Sequence, residues 1–159
     1  MEFDVVVEIP KGSRNKYEFG EDGRIHLDRT LYTSTVYPTE YGYIDATLGE
    51  DGDPFDAMVI CEEPTFPGCV IRARPVAMFR MKDEKGPDDK VVTVPVGDPR
   101  SAAIHDVSDL SDYDKDLISH FFSVYKALEP GKFVEVIGWE SRSFAESSVT
   151  EAFDRANNA

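Results

Sequence analysis

Apolar and polar residues alternate at the start of the chain, from Phe3 to Ile9. This is the period of a half-buried β-strand. Residues 16–19 and 24–27 flank Gly20-Glu21-Asp22-Gly23, and the Asp-Gly pair at that point predicts a hairpin. Pro75 is expected to bend or break the strand in which it falls, because proline cannot donate to a sheet ladder. Further apolar or β-branched runs predict strands at residues 57–60, 70–81, 91–96 and 133–139.

Two later segments change to the helical period. In the first, apolar residues recur at spacings of three and four: Leu110, Tyr113, Leu117, Phe121, Val124 and Leu128. They end before Glu129-Pro130-Gly131, which is a helix stop signal. The C-terminal segment carries a similar stripe of Phe144, Val149, Phe153 and Ala156. Since no linker or repeat interrupts the chain, we expect one domain over residues 1–159. The order of elements predicts an α+β or mainly β class, with a closed or partly closed β-barrel and two helices packed outside.

Length and composition limit where the protein works. A chain of 159 residues is long enough for one hydrophobic core. No apolar run approaches the roughly 20 residues that cross a bilayer, and the N-terminal segment lacks the basic-then-apolar pattern of a secretion signal. Two cysteines, Cys61 and Cys69, are too few for a disulfide framework and are expected to be reduced. We predict a cytoplasmic protein without membrane contact.

The charge is strongly negative and unevenly spread. With 31 acidic and 17 basic residues, the formal net charge is -14. Nucleic-acid binding requires an electropositive surface, so we exclude a nucleic-acid partner. Residues 30–71 contain no Lys, Arg or His but eight acidic side chains. Such a stretch must be solvated, attract cations from elsewhere in the chain, or bind metal.

Three carboxylates fall within six residues in Asp51-Gly52-Asp53-Pro54-Phe55-Asp56, just before a predicted strand. One interpretation is a solvated acidic turn. The other is a metal site, because Mg²⁺ prefers oxygen ligands and two carboxylates about 4 Å apart repel by about 4 kcal/mol at an effective dielectric of 20. An EF-hand starting at Asp51 fails, since Phe55 and Asp56 stand where an oxygen ligand and a glycine are needed. A phosphoryl-accepting aspartate of the dehalogenase type usually follows a strand, whereas this turn precedes one.

A second acidic loop and several basic and tyrosine residues complete a pattern. The loop runs from Asp83 to Lys90, and Lys16 and Glu18 share one face of a predicted strand. The full set resembles the soluble Mg²⁺-dependent inorganic pyrophosphatases of the short bacterial type, in order from about residue 3 to residue 139. Asp-Gly-Asp-Pro-apolar-Asp is the signature of that family. The matching elements are Glu8-Ile9-Pro10, Lys16-Tyr17-Glu18, Asp28-Arg29, Tyr37-Pro38, Tyr41-Gly42-Tyr43, residues 51–56, Asp83-Glu84, Asp88, Lys90, His120-Phe121-Phe122 and Tyr125-Lys126.

The resemblance implies a fold, a cofactor and an assembly. It implies a five-stranded OB-like barrel with the site on its open face, and several Mg²⁺ ions per site. Pyrophosphate would be hydrolysed to two phosphates by a metal-activated water. Short bacterial members are usually homohexamers, so we expect a homohexamer.

It also implies a role for each site residue. Asp53 would take the proton from the attacking water, and Tyr41 would orient Asp56. A first metal would be held by Asp51, Asp56 and Asp88, a second by Asp56, a third by Asp83 with Asp88, and a further one through water by Glu8 and Glu18. The phosphates would be held by Lys16, Arg29, Lys90, Tyr125 and Lys126, with Tyr37 lining the site.

Two other functions are compatible with parts of the sequence. An OB-like module that binds a divalent cation without turnover explains the acidic turn, but it leaves Lys16, Arg29, Lys90 and Lys126 without a role. An oligonucleotide-binding barrel conflicts with the net charge of -14. His26, His105 and His120 are too scattered to predict a site.

Overall fold

The computed structural model describes all residues from Met1 to Ala159. It contains nine strands, two α-helices and two single-turn 3-10 helices, Pro99–Ser101 and Val107–Asp109. The α-helices are α1 (Asp112–Val124) and α2 (Arg142–Asn157). The strands are β1 (Phe3–Ile9), β2 (Asn15–Phe19), β3 (Ile25–Thr30), β4 (Glu40–Ile44), β5 (Asp56–Val59), β6 (Val70–Asp83), β7 (Gly86–Pro87), β8 (Lys90–Pro95) and β9 (Val134–Glu140).

Five strands close into a ring. β1 pairs with β4 and with β6, β4 pairs with β5, β5 runs parallel to β8, and β8 returns to β6. Closure leaves no free edge within the ring. β9 is added on β6, while β2 and β3 form the separate hairpin that the Asp-Gly turn predicted. The expected five-stranded, OB-like β-fold with two helices is therefore confirmed.

β6 pairs with more strands than any other strand of the sheet. It spans 14 residues and pairs with β1, β7, β8 and β9. Its register against β8 shifts between Pro75 and Ala77, because proline has no N–H to donate there. Pro75 thus bends the strand without ending it, and β6 runs on to Asp83, beyond the predicted end.

β4 is a strand that the sequence analysis missed. It alternates buried and half-buried residues from Glu40 to Ile44, but no strand was predicted over these residues. Gly42 lies opposite Val7, and a Cβ at Gly42 would stand 1.9 Å from the carbonyl oxygen of Val6. Only glycine permits this approach of the two strands.

The two helices cover separate parts of the core. α1 buries Ile118, Phe121 and Phe122 in one apolar cluster, and α2 buries Ala145 and Val149 in another. Each helix begins at a serine N-cap, Ser111 and Ser141, whose hydroxyl accepts a backbone N–H. Neither helix has the length and apolar composition needed to cross a membrane. Cys61 and Cys69 are both free thiols and half-buried.

The apolar stripe predicted for α1 was partly wrong. α1 ends at Val124, so Leu128 lies beyond it and is 66% exposed. Tyr113 is 72% exposed and Leu117 38% exposed, whereas Phe121 is buried as expected. The helix carries apolar residues on two faces, and only one face contacts the core.

Candidate active site

One cleft of about 840 Å³ gathers the residues singled out by sequence. All fourteen residues predicted for metal, substrate or catalysis line it. They come from β1, β2, β3, β4, β5, β6 and β8, from the loops that precede β4, β5 and β8, and from the segment after α1. Asp28, Glu84, Lys85 and Lys132 line it as well, without a role predicted from sequence. Contact between these segments is a property of the fold, since nearly 120 residues separate Glu8 from Lys126.

The acidic turn, residues 48–53, leads into β5. Its backbone closes through a hydrogen bond of 2.6 Å from Gly49 N to the carbonyl oxygen of Asp53, and Gly52 has a φ of +88°. Such a φ favours glycine. Asp53 N donates to Asp51 Oδ1 at 3.0 Å. Asp51 and Asp53 are exposed at the cleft, so their carboxylates are accessible to ions and water.

Lys90 lines the cleft and is 2% exposed. Its Nζ donates to Asp56 Oδ2 and Asp88 Oδ1, each at 2.8 Å, and to the Tyr41 hydroxyl at 2.7 Å. Burial alone would lower the pKa of Lys90, but Asp56 and Asp88 raise it above its usual value, and the amine stays protonated. Tyr41 in turn donates to Asp56 Oδ2 at 3.1 Å. Burial raises the pKa of Tyr41 well above its usual value, which keeps this phenol a donor.

Lys126 connects the end of α1 to the end of β6. Its Nζ lies 3.0 Å from Asp83 Oδ2 and 3.1 Å from Glu84 Oε2. Burial would lower the pKa of Lys126, but its neighbours Tyr125, Asp83 and Glu84 raise it. For Asp83, burial acts to raise the pKa, but the hydrogen bonds from Lys126 and the Lys85 N–H, together with the charges of Lys126 and Lys90, outweigh it and lower the pKa. Both groups therefore stay charged at neutral pH.

A buried carboxylate that sequence analysis missed holds two cations at the cleft edge. Glu129 is 5% exposed, and its Oε1 lies 2.9 Å from Arg29 Nε and 2.8 Å from Lys132 Nζ. The Arg29 contact is an ion pair without hydrogen-bond alignment, and Glu129 Oε2 is buried without a partner. Arg29 also contacts Asp28. The stop signal after α1 accounts for Pro130 and Gly131, and no local pattern marks Glu129 as part of a site.

Several carboxyls in the cleft are in unfavourable surroundings for a negative charge. Burial raises the pKa of Glu8 to about 7, although its carboxylate accepts the N–H of Phe19 at 3.0 Å. Burial also raises the pKa of Asp88, against the opposing effect of Lys90. A bound cation would offset this penalty.

The donor set fits a hard divalent cation. The acidic side chains offer only oxygen ligands, which is the preference of Mg²⁺. No three acidic, Cys or His side chains are already gathered around one point; Lys90 and Lys126 instead hold Asp56, Asp88 and Asp83. With acids and bases lining the same cleft, the arrangement suits a polyanion that binds together with metal ions.

Comparisons with known proteins agree with this chemistry. The family model for inorganic pyrophosphatase matches residues 5–157. The inorganic pyrophosphatase of Streptomyces coelicolor is 58% identical over 156 residues, covering 98% of this chain and 96% of the relative. That of Aeropyrum pernix is 50% identical over 159 residues, covering 98% and 90%. The crystal structure of the inorganic pyrophosphatase from Thermus thermophilus superposes with a TM-score of 0.96 at 44% identity, covering 98% of this chain and 91% of that one. The enzyme from Helicobacter pylori gives a TM-score of 0.96 at 40% identity, covering 98% and 94%.

Proposed function

Because this chain belongs to the inorganic pyrophosphatase family, we propose that it hydrolyses pyrophosphate to two phosphates in the cleft described above, with Asp53 as the general base. The observation that carries the proposal is that one cleft holds all fourteen residues that the family resemblance implied. The match over residues 5–157 supports one catalytic domain. A cation-binding module without turnover is not favoured, because relatives at 50–58% identity are inorganic pyrophosphatases.

We propose that several Mg²⁺ ions serve as cofactors. Asp51, Asp56 and Asp88 would hold the first, and Asp56 would also serve a second. Asp83 with Asp88 would hold a third, and Glu8 and Glu18 a further one through water. When bound, Mg²⁺ would neutralise phosphate charge and make a bound water more acidic.

Asp53 is suited to accept a proton. Its carboxylate is exposed in the cleft and pairs with no Lys or Arg, whereas Asp56, Asp83 and Asp88 are each bound to a lysine. An unpaired carboxylate has free lone pairs that can accept a hydrogen bond from a water molecule. A positioned general base typically contributes 10²–10⁴-fold to the rate. In this proposal the proton of the attacking water moves to the Asp53 carboxylate.

The basic residues would bind the substrate. Pyrophosphate is a polyanion, and in-line attack on it requires that its negative charge be held and balanced. Lys16, Arg29, Lys90 and Lys126 would donate charge-assisted hydrogen bonds to phosphate oxygens, and Tyr125 a phenolic one. Burial raises the pKa of Tyr125, so its hydroxyl remains a donor. Tyr37, 2% exposed, would line the site, and Tyr41 would keep Asp56 in place.

Asp53→Asn tests the proposed base. The change is nearly isosteric, and the backbone hydrogen bonds of the turn are retained. We expect turnover to fall 10²–10⁴-fold, with the Mg²⁺ concentration for half-maximal activity changed much less. Phosphate release from pyrophosphate, measured at saturating Mg²⁺ and across a Mg²⁺ titration, gives both quantities.

Asp45→Asn is the matched control. Asp45 is exposed in the same acidic stretch but outside the cleft, and Asn keeps the side-chain oxygen that accepts the N–H of Ala46. We expect Asp45→Asn to leave turnover and the Mg²⁺ concentration for half-maximal activity nearly unchanged. Near-normal turnover of Asp53→Asn would refute the base assignment. A defect confined to Mg²⁺ affinity would make Asp53 a ligand.

We also propose a homohexamer in the cytoplasm. The second apolar face of α1, with Tyr113 and Leu117, is exposed, and so are Phe133 and Ile137 at β9, 55% and 52%. Burial of such residues favours self-association. The two free thiols support a reducing compartment. Sedimentation equilibrium should give a mass near six chains; a mass near one chain, 17.8 kDa, would refute the assembly.

A further inference from the structure

The acidic turn takes its basic partner from the far end of the chain. Residues 30–71 contain no Lys, Arg or His, and Arg155 in the last turn of α2 reaches this region. Arg155 Nη1 donates to the carbonyl oxygen of Leu48 at 2.7 Å. Arg155 Nη2 lies 3.9 Å from Glu50 Oε1. The arginine thus binds one backbone group of the turn and one of its carboxylates.

α2 also holds the other backbone group of Leu48. Leu48 N donates to the carbonyl oxygen of Ala152 at 3.0 Å. Ala152 is completely buried, as is Val149 one turn earlier, so this end of α2 is fixed to the body of the protein. Both polar backbone groups at the start of the turn are therefore bound to α2.

Beyond Leu48 the acidic turn is held by its own hydrogen bonds. The hydrogen bonds of residues 49–53 all stay within the turn: Gly49 N to Asp53 O, Gly52 N to Gly49 O, and Asp53 N to Asp51 Oδ1. The turn is attached to the rest of the protein at its two ends. At the β5 end, Phe55 N donates to the Thr47 hydroxyl at 3.0 Å. At the other end Leu48 is bound to α2, and Thr47, just before Leu48, donates its hydroxyl to the carbonyl oxygen of Ile44 at 2.6 Å.

We infer that Arg155 is a positioning residue for the acidic turn. By fixing Leu48 it sets where Asp51 and Asp53 stand in the cleft, although Arg155 does not line the cleft itself. The inference rests on the proposed function, in which Asp51 is a metal ligand and Asp53 the base. A displacement of about 1 Å in such groups lowers a rate by about 10²-fold, so an attachment remote from the reacting atoms affects catalysis.

Hydrogen exchange in metal-free protein tests the attachment without activity. In Arg155→Ala, which leaves Ala145, Val149 and Ala152 to hold α2, we expect amides of residues 48–53 to exchange about tenfold faster, since a charge-assisted hydrogen bond is lost. Arg155→Lys retains the charge and one donor and should give a smaller change. Arg142→Ala is the control, because Arg142 makes an exposed ion pair with Glu146 at the opposite end of α2. It should leave these amides unchanged.

Measurement of phosphate release then distinguishes a positioning role of Arg155 in catalysis from a purely structural role. We expect Arg155→Ala to lower kcat about tenfold and to raise the Mg²⁺ concentration for half-maximal activity, with KM for pyrophosphate within twofold of wild type. Arg155→Lys should recover much of the loss. Unchanged exchange in Arg155→Ala would overturn the inference, and so would faster exchange with a normal kcat and Mg²⁺ response. If Arg155→Ala does not fold, Arg155→Lys carries the same tests.

The proposed function can be refuted independently of the positioning role of Arg155. Full activity of Asp53→Asn would remove the base assignment while leaving the exchange result for Arg155→Ala intact. Conversely, an inactive Asp53→Asn with an unaffected Arg155→Ala would retain the base and refute the positioning role.

Discussion

Lys90→Met removes a buried charge from the cleft with little change in side-chain volume. Lys90 is 2% exposed and binds Asp56, Asp88 and the Tyr41 hydroxyl within 2.7–2.8 Å. Loss of one partner from a buried ion pair destabilises a protein by about 3–5 kcal/mol, because the remaining charge is unpaired. The side chains of Asp56 and Asp88 are 32% and 25% exposed. We therefore expect a smaller loss, about 2–3 kcal/mol, since solvent screens part of the charge.

Thermal unfolding without metal measures this loss. For a chain of about this length each kcal/mol shifts the midpoint by about 2–4 °C, so Lys90→Met should unfold about 4–12 °C lower. The control is Lys82→Met, which removes an exposed ion pair with Glu135 at 3.2 Å. Exposed pairs contribute about 0–1 kcal/mol. All midpoints are compared at one protein concentration, because association also stabilises the folded state.

Mg²⁺ provides the second half of the test. With Lys90 gone, Asp56 and Asp88 attract a cation more strongly, so Mg²⁺ should raise the midpoint of Lys90→Met more than that of wild type. A ligand at about 100 times its Kd stabilises by about 2.7 kcal/mol, which is comparable to the expected loss. The reasoning is refuted if Lys90→Met is no less stable than Lys82→Met without metal. An equal Mg²⁺ shift in wild type and variant would also contradict it.

Two further predictions concern substrate and metal. Arg29→Ala and Lys126→Ala should each reduce turnover or pyrophosphate affinity by about one to two decades, as expected for the loss of a charge-assisted hydrogen bond of about 1.5–3 kcal/mol, with Mg²⁺ binding retained in calorimetry. Lys115→Ala, on α1 outside the cleft, is their control, and equal losses would contradict the assignment. Ca²⁺ prefers longer bonds and more ligands than Mg²⁺, so it should compete with Mg²⁺ and inhibit phosphate release. Equal turnover with Ca²⁺ alone would show this reasoning to be wrong.

Alternation predicted β1, the Asp-Gly turn predicted the hairpin of β2 and β3, and apolar runs predicted β5, β6, β8 and β9. β1 was predicted with its observed bounds, Phe3–Ile9, because its buried and half-buried residues alternate without exception. β4 was missed because the reason for Gly42 lies on another strand, at the carbonyl oxygen of Val6. A requirement set by a neighbour distant in sequence leaves no local pattern.

The error in α1 has a different physical cause. Tyr113 and Leu117 are one turn apart and apolar, as a core-facing stripe would be, yet both are exposed. Ile118 and Phe122 repeat the same spacing on the face that is buried. Periodicity reports that a helix has an apolar face, but it does not tell which of two faces meets the core.

The proposed site residues were named from a family resemblance, and the residues that contact them were not. Asp51, Asp53 and Asp56 stand close in sequence and form a recognisable motif. Glu129 and Arg155 act across space, on Arg29 and on Leu48, and nothing near them in the sequence identifies those targets. The charge pattern came closest, because attraction of cations from elsewhere in the chain was one of the three alternatives for the acidic stretch.

The pairing of charges within the cleft connects metal binding to substrate binding. Each proposed phosphate-binding cation contacts a carboxylate: Lys16 with Asp28 at 3.0 Å, Arg29 with Glu129 at 2.9 Å, Lys90 with Asp56 at 2.8 Å and Lys126 with Asp83 at 3.0 Å. A phosphate must compete with these carboxylates for the same cations. Lys90 and Lys126 contact proposed metal ligands, so a carboxylate that binds a divalent cation attracts its lysine less, and that lysine then binds phosphate more strongly. Since coupling between two ligands is reciprocal, phosphate on Lys90 or Lys126 would strengthen metal binding at the proposed ligands Asp56 and Asp83 by the same factor.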